Sequence, residues 1–303
     1  MKVSICVATY KRQDLLHQLI LSLQALKFEQ IATPEIEIIV VDNDANGSAR
    51  ETLSTWQESS RWPIRYDVEM RSGVTYARNR TIQNAAEDSD FIAIIDDDEQ
   101  ACPSWLEALL TAQAQFQADI VGGPILPVFQ CNQVPNWIHQ GQFFAPPAYK
   151  TGQNLHVAFT NNVLLPAPYL KQMPCVFDER FAVGGGEDTH LFMRLHQAGL
   201  KIVWSAEAIA YESIPASRTT FQWLLRRNYW GWSIYSLVEK ELYPQPKIFL
   251  VRLCKGLALM ILGILALIPG LLRGKHHLYR ACIRTAQGAG TIMGLLGRRT
   301  TWV

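Results

Sequence analysis

Three things are missing from this chain. Its six cysteines form no Cys-x-x-Cys pair, residues 247–303 hold no acid, and the N-terminus has no long apolar run. Scattered cysteines exclude the usual zinc spacings and a disulfide framework, so reduced cytosolic thiols are expected. His139, His156, His190 and His196 also lack metal-ligand spacing, and His190 reads as a helix-surface residue. The apolar stretch after Lys2 is too short for a signal peptide and reads as a first strand.

The missing acids expose a split that the formal net charge of +1 conceals. Residues 247–303 carry nine Lys and Arg, leaving 19 bases against 27 acids before them, a net of −8. An acidic body with a basic tail implies an anionic partner surface for the tail. The tail is apolar as well as basic, which selects a membrane over nucleic acid. Nearly half of the 303 residues are hydrophobic, enough for one large α/β domain and an appendage.

Of what is present, the most telling stretch is Phe91-Ile92-Ala93-Ile94-Ile95 followed by Asp96-Asp97-Asp98-Glu99. The apolar part reads as a buried strand. Consecutive carboxylates repel, and a divalent cation with substrate phosphates is one reason to hold them together; a solvated acidic turn is the plain alternative. Their place at a strand's carboxyl end favours the ligand-binding reading.

Residues 3–8 and 35–41 read as earlier strands, ended by Thr9 and by Asp42. A helix capped by Asp14 lies between them. This alternation predicts a mostly parallel, doubly wound α/β sheet whose polar strand ends converge. Gly73 then turns the chain into a helix carrying Arg78, and a helix N-terminus with an arginine suits an anion. A helix follows Ser104, and 118–124 reads as a strand. Residues 127–160, rich in proline and aromatics, read as an irregular acceptor-side loop.

The second chemical stretch is Gly184-Gly185-Gly186-Glu187-Asp188, before a helix with Leu191, Phe192 and Leu195 on one face. The acids suit the helix dipole, but capping needs no triple glycine. Glycines let a backbone pass close to something, and a carboxylate held there is a candidate general base.

In chain order, Val7-Ala8-Thr9-Tyr10-Lys11-Arg12, Val41-Asp42-Asn43, Gly73 with Ala77-Arg78-Asn79, Ile95-Asp96-Asp97-Asp98 and Gly185-Gly186-Glu187-Asp188 resemble an inverting family 2 glycosyltransferase of the GT-A fold. The resemblance covers roughly residues 1–230. Its continuation, Tyr211-Glu212, Pro215, Arg218, Arg226-Arg227 and Gly231, is similar to bacterial succinoglycan-type exopolysaccharide transferases. The resemblance implies a Rossmann-like body and a UDP-sugar donor with Mn²⁺ or Mg²⁺. Thr9, Asp42 and Arg78 would hold the uridine part, Asp96 would touch the ribose, and Asp98 would bind the metal, with Asp97 beside them in the donor set. Asp188 would be the catalytic base, next to Glu187. The family motif usually has a small residue where Asp97 stands, so Asp97 and Asp98 both remain candidate ligands. A clean Gln-x-x-Arg-Trp is absent, which implies one sugar per event rather than processive synthesis. A sugar transfer with an oxocarbenium-like transition state and a diphosphate leaving group fits one base and one metal.

The glycosyltransferase domain is expected over 1–243 and the membrane-associated tail over 244–303. Gly256 to Leu272 is 17 uncharged residues, about 25 Å as a helix against a hydrocarbon core of ~30 Å. Bases on both flanks favour a helical hairpin in the cytoplasmic leaflet of the plasma membrane, peripheral or monotopic. A transmembrane helix and a buried oligomer interface are the alternatives. The acceptor is then a glycan hydroxyl, lipid-linked, in cell-surface polysaccharide synthesis. Polyprenyl phosphate as acceptor and an inactive GT-A scaffold are the competing readings.

Overall fold

The structure, a computed structural model, describes residues 1–56, 59–131 and 133–298; Arg299 of the basic tail lies outside them. Strand β1 (Lys2–Thr9) leads to helix α1 (Gln13–Gln24), which buries Leu16, Leu19, Ile20 and Leu23 on one stripe. The residue before α1 is Arg12, so Asp14 sits in the first turn instead of capping it. There its charge still favours the dipole. Strand β2 (Glu35–Asp42), short helix α2 (Arg50–Ser54), β3 (Ile64–Val68), α3 (Val74–Asn84) and β4 (Phe91–Ile95) continue the alternation.

After β4 come β5 (Glu99–Ala101), α4 (Trp105–Phe116), β6 (Ile120–Gly122) and β7 (Ile125–Phe129). The segment read as irregular thus contains most of β7, helix α5 (Asn136–Gly141) and a two-residue strand β8 (Asn154–Leu155). Pro127 hid β7 in the sequence. It is tolerated because β7 is an edge strand, where a missing N–H breaks no interior ladder. Next are β9 (Asn162–Pro166), α6 (Ala167–Lys171), α7 (Glu187–Gln197), β10 (Ile202–Trp204), β11 (Ala210–Ile214) and α8 (Phe221–Leu242). The tail forms α9 (Pro246–Leu265), α10 (Leu267–Arg273) and α11 (Lys275–Leu295).

The main sheet has the order β3-β2-β1-β4-β9-β6-β10-β8. Strands β3, β2, β1 and β4 are parallel; β9 runs antiparallel to both β4 and β6, and β8 antiparallel to β10. The sheet is therefore mostly parallel, as the alternation of strands and helices predicts, with β9 and β8 as its antiparallel members. The period-2 alternation of β1 assigns its two faces. Val3, Ile5 and Val7 pack with α1 and α4, through Leu16, Leu19, Trp105 and Leu109. Cys6 packs on the other face with Ala77 of α3 and Leu191, Phe192 and Leu195 of α7. Burial on both faces accounts for near-continuous apolar strands. A second sheet, β5-β11-β7, lies beside the acidic stretch in sequence.

By contacts the chain forms two compact units. The first is Met1–Leu126, Pro146–Val183 and His190–Glu212; the second is Pro127–Ala145, Gly184–Thr189 and Ser213–Val303. The composition break at 243/244 falls within the second unit, because α8 and α9 both pack on α11.

Small residues make that packing close. A Cβ on Gly290 or Gly294 of α11 would run into the backbone oxygens of Tyr229 and Ser233 on α8. On the α9–α10 side, Gly256, Gly263 and Gly270 recur every seventh residue, each facing α11 where a Cβ would meet Thr291, Thr285 or Leu278. Close backbone approach over small residues is the packing mode of helices in lipid. Pro269 lacks the N–H that would bond the Leu265 carbonyl, which accounts for the break between α9 and α10. Helix α9 is long and apolar enough to cross a membrane by length and composition. Gly294→Leu should push α11 off α8 and lower stability by roughly 1–3 kcal/mol, read as a lower melting temperature. An unchanged melt would mean the two helices are not held at this distance.

Candidate active site

The β1–α1 loop, the end of β4 and the start of α3 bring one set of side chains together in the first unit. Asp97 is nearly fully buried and has both oxygens engaged. One accepts the Thr9 hydroxyl at 2.8 Å, the other the Arg12 guanidinium at 2.8 Å. The same Arg12 nitrogen lies 3.1 Å from Asp98. Arg78, buried in α3, donates to Asp96 at 2.8 Å, and the Asp96 side chain is one-third exposed. Thr9, Arg78, Asp96, Asp97 and Asp98 are thus neighbours, as the converging strand ends require.

Asp42 sits differently. It is fully buried, accepting the backbone N–H of Asp44 at 2.9 Å and of Ala49 at 2.7 Å. Tyr66 donates its hydroxyl at 3.2 Å, and burial with the Asp42 charge pushes that hydroxyl up to about 12. Asp42 therefore shapes the loop after β2. Asn43 extends this, donating to the carbonyls of Glu69 and Arg71 and accepting the N–H of Gly73 at 2.8 Å. Gly73 has φ 141°, and a Cβ there would lie 2.8 Å from the Ala182 oxygen, so only glycine fits.

Arg12 and Glu99 are the residues the sequence reading gave no role. Burial works against the Arg12 charge, but Asp97 and Asp98 more than offset it and raise its pKa. Burial raises the Asp97 carboxyl, with Arg12 and Thr9 pulling it back. Glu99 is 1% exposed, and burial, then the charges of Asp96, Asp98 and Glu212, hold it well above the usual carboxylate range. Glu212 stands opposite Glu99 in the β11–β5 ladder. Arg12 was visible only as part of a motif. Only the β11 register brings Glu212 to Glu99.

Among the described residues, no three His, Cys, Asp or Glu side chains form a ready-made metal cage. The donor set nonetheless fits a hard cation, since Mg²⁺ and Mn²⁺ take one or two carboxylates and fill the rest with phosphate and water. Of the two candidate ligands, Asp97 has both oxygens bonded to Thr9 and Arg12, while Asp98 lies 3.1 Å from the shared Arg12 nitrogen.

In the second unit, Gly184, Gly185 and Gly186 have φ of 109°, 73° and 101°, a run closed to side-chain-bearing residues. Trp230 of α8 donates its indole N–H to the Gly184 oxygen at 2.9 Å, and a Cβ on Gly185 would meet its ring at 2.8 Å. The loop thus delivers Glu187, buried, and Asp188, half-buried, at the start of α7. Asp188 accepts the backbone N–H of Thr189 at 2.6 Å. His190, read as a surface residue, is 3% exposed instead, packed against Phe181 at 5.0 Å between ring centres.

A raised carboxyl pKa makes folding most favourable below the unfolded value of 4.5, and this contribution is lost as pH rises toward the folded value. Glu99→Gln removes that loss. In chelator, the variant should be more stable than wild type at pH 8 by more than about 1 kcal/mol. The gap should close as pH falls to 4.5, in denaturant titrations at both pH values. A constant difference across pH would mean that folding does not raise the Glu99 carboxyl.

Residues 4–171 match the model of glycosyl transferase family 2. The succinoglycan biosynthesis protein ExoM of Rhizobium meliloti (strain 1021) is 32% identical over 228 residues, 75% of this chain and 72% of that protein. A glucosyl-dolichyl phosphate glucuronosyltransferase of Haloferax volcanii is 26% identical over 271 residues, 81% of this chain and 79% of that one. Among solved structures, S. aureus TarS 1-349 in complex with UDP superposes with a TM-score of 0.55 at 15% identity, over 97% of this chain and 90% of that one. This chain spans 55% of a longer TarS crystal structure. The body has the GT-A fold, and the chain belongs to glycosyl transferase family 2, as a glycosyltransferase.

Proposed function

We propose that this enzyme transfers a single sugar, with inversion, from a UDP-sugar to a hydroxyl of a lipid-linked glycan at the cytoplasmic face of the plasma membrane. The observation that carries the reading is the carboxylate set at the end of β4, held by arginines from the β1–α1 loop and from α3. Asp97 spends both oxygens on Thr9 and Arg12 and is assigned a positioning role. Asp98 is assigned to Mn²⁺ or Mg²⁺, and Asp96 to the ribose side. The metal, when bound, neutralises charge growing on the departing diphosphate. Asp42 with the loop after β2, and Arg78, are assigned to the uridine part. Asp188 takes the acceptor proton, and Glu187 beside it keeps the local field negative.

The UDP complex of the TarS neighbour supports the donor assignment. The archaeal relative's name, with its sugar on dolichyl phosphate, supports a lipid-linked acceptor. For a membrane-associated tail, the support is the exposed apolar face of α9 and α10, which includes Ile261, Leu265, Ile268 and Leu272. The proposed division of labour keeps residues 1–243 as the transferase domain and 244–303 as the membrane tail.

Calorimetric titration should show UDP binding that Mn²⁺ strengthens and that chelation or Asp98→Asn weakens at least tenfold. Asp188→Asn should leave UDP binding intact while cutting transfer by about 10²–10⁴-fold, the usual worth of a general base. A folded chain that ignores UDP sinks the donor assignment. Undiminished transfer by Asp188→Asn moves the base elsewhere.

A further inference from the structure

We propose that the cleft between α10 and α11 is a binding site for the phosphate of an anionic phospholipid. This rests on the membrane-associated reading of the tail and adds a specific headgroup contact to it. The chain reverses at Gly274, whose φ of 111° suits glycine. The reversal sets Arg273, at the end of α10, beside α11. There His277, Arg280 and Arg284 follow at helical spacing, on one face. These side chains, with Pro269 and Gly270, line a cavity of about 160 Å³.

Nothing within the segment neutralises them. Residues 247–303 hold no acid. Among the described residues neither Arg273 nor Arg284 pairs with a carboxylate, and Arg280 donates to the backbone oxygen of Gly141 at 2.8 Å. Guanidiniums gathered round one cavity repel each other until an anion joins them. The planar fork of arginine matches phosphate oxygens in pairs.

The cavity's neighbours identify the source of the phosphate. Leu265, Ile268, Leu271 and Leu272 are 67%, 74%, 67% and 85% exposed. Such an apolar strip is unfavourable in water. A strip of leucine and isoleucine ending in arginines has the order of a leaflet, acyl chain and then headgroup. A second copy of this chain would cover the strip with an equally acid-free tail and leave the guanidiniums without a counter-charge. Free phosphate would leave the strip in water.

The test is flotation of the full chain, synthesised in the presence of phosphatidylcholine vesicles with or without phosphatidylglycerol, at physiological salt. Wild type should prefer the anionic vesicles. The double variant Arg273→Gln/Arg284→Gln should reduce that preference by roughly 30-fold, the electrostatic worth of two bases at a charged surface. Both positions are exposed, and circular dichroism checks the fold. The double variant Arg273→Lys/Arg284→Lys keeps the charge but loses the fork, and should still reduce the preference several-fold. Wild-type behaviour in the lysine variant, or equal binding of both vesicle types by wild type, overturns the headgroup site and leaves the membrane reading standing. Wild type that floats with neither, running instead as a dimer by light scattering, overturns both.

Discussion

Repulsion among the carboxylates at the end of β4 is the constraint around which the first unit is arranged. Each acid has its own remedy. Asp97 is bonded by Thr9 and Arg12 from the β1–α1 loop, and Asp96 by Arg78 from α3. Burial, with the charges of Asp96, Asp98 and Glu212, raises the Glu99 carboxyl well above the usual carboxylate range. Removing one partner of a buried pair leaves an uncompensated charge, which costs far more than the pair itself contributes. The β1–α1 loop and helix α3 are therefore tied to the end of β4 by electrostatics as well as by packing. Asp98 lies 3.1 Å from the same Arg12 nitrogen that meets Asp97, so one guanidinium serves two neighbouring carboxylates.

Glycine is the second constraint, and it works in three ways. At Gly73 and at Gly184 to Gly186 it permits backbone that side-chain-bearing residues cannot adopt. At Gly185 it also admits the indole of Trp230, so a helix of the second unit fixes the loop that carries Glu187 and Asp188. Along α9 and α11 it permits helix backbones to touch. Burial of small residues there leaves the large apolar side chains outward, where Leu271 and Leu272 are among the most exposed in the chain. In a water-soluble bundle the large residues would face in. Along α9 and α10 the buried residues are glycines and the exposed ones large and apolar, while α11 buries Ile283 and Leu295 beside its glycines.

The sequence by itself determined the early βα units, the helical tail and the placing of the two acidic stretches at a strand end and a helix start. These are local signals. A buried parallel strand is a continuous apolar run, and an amphipathic helix has its own period. The extra structure within 127–160 was not legible, because Pro127 argues against a strand until the strand is known to be an edge. His190 was misplaced because helical spacing says which residues share a face but not what covers that face; here Phe181 does.

Only the tertiary structure decided the partners of the charged residues. Thr9, Arg12, Asp97 and Asp98 come from segments more than 80 residues apart, and no local pattern says which carboxylate Arg12 meets. That Asp97 is consumed internally, and that Asp42 is enclosed by its own loop, follows from hydrogen-bond saturation, which is a property of the folded neighbourhood. The opposition of Glu212 to Glu99 is a matter of strand register. Charge and periodicity are written residue by residue, but the energy of a buried charge is set by its neighbours, and the fold chooses those.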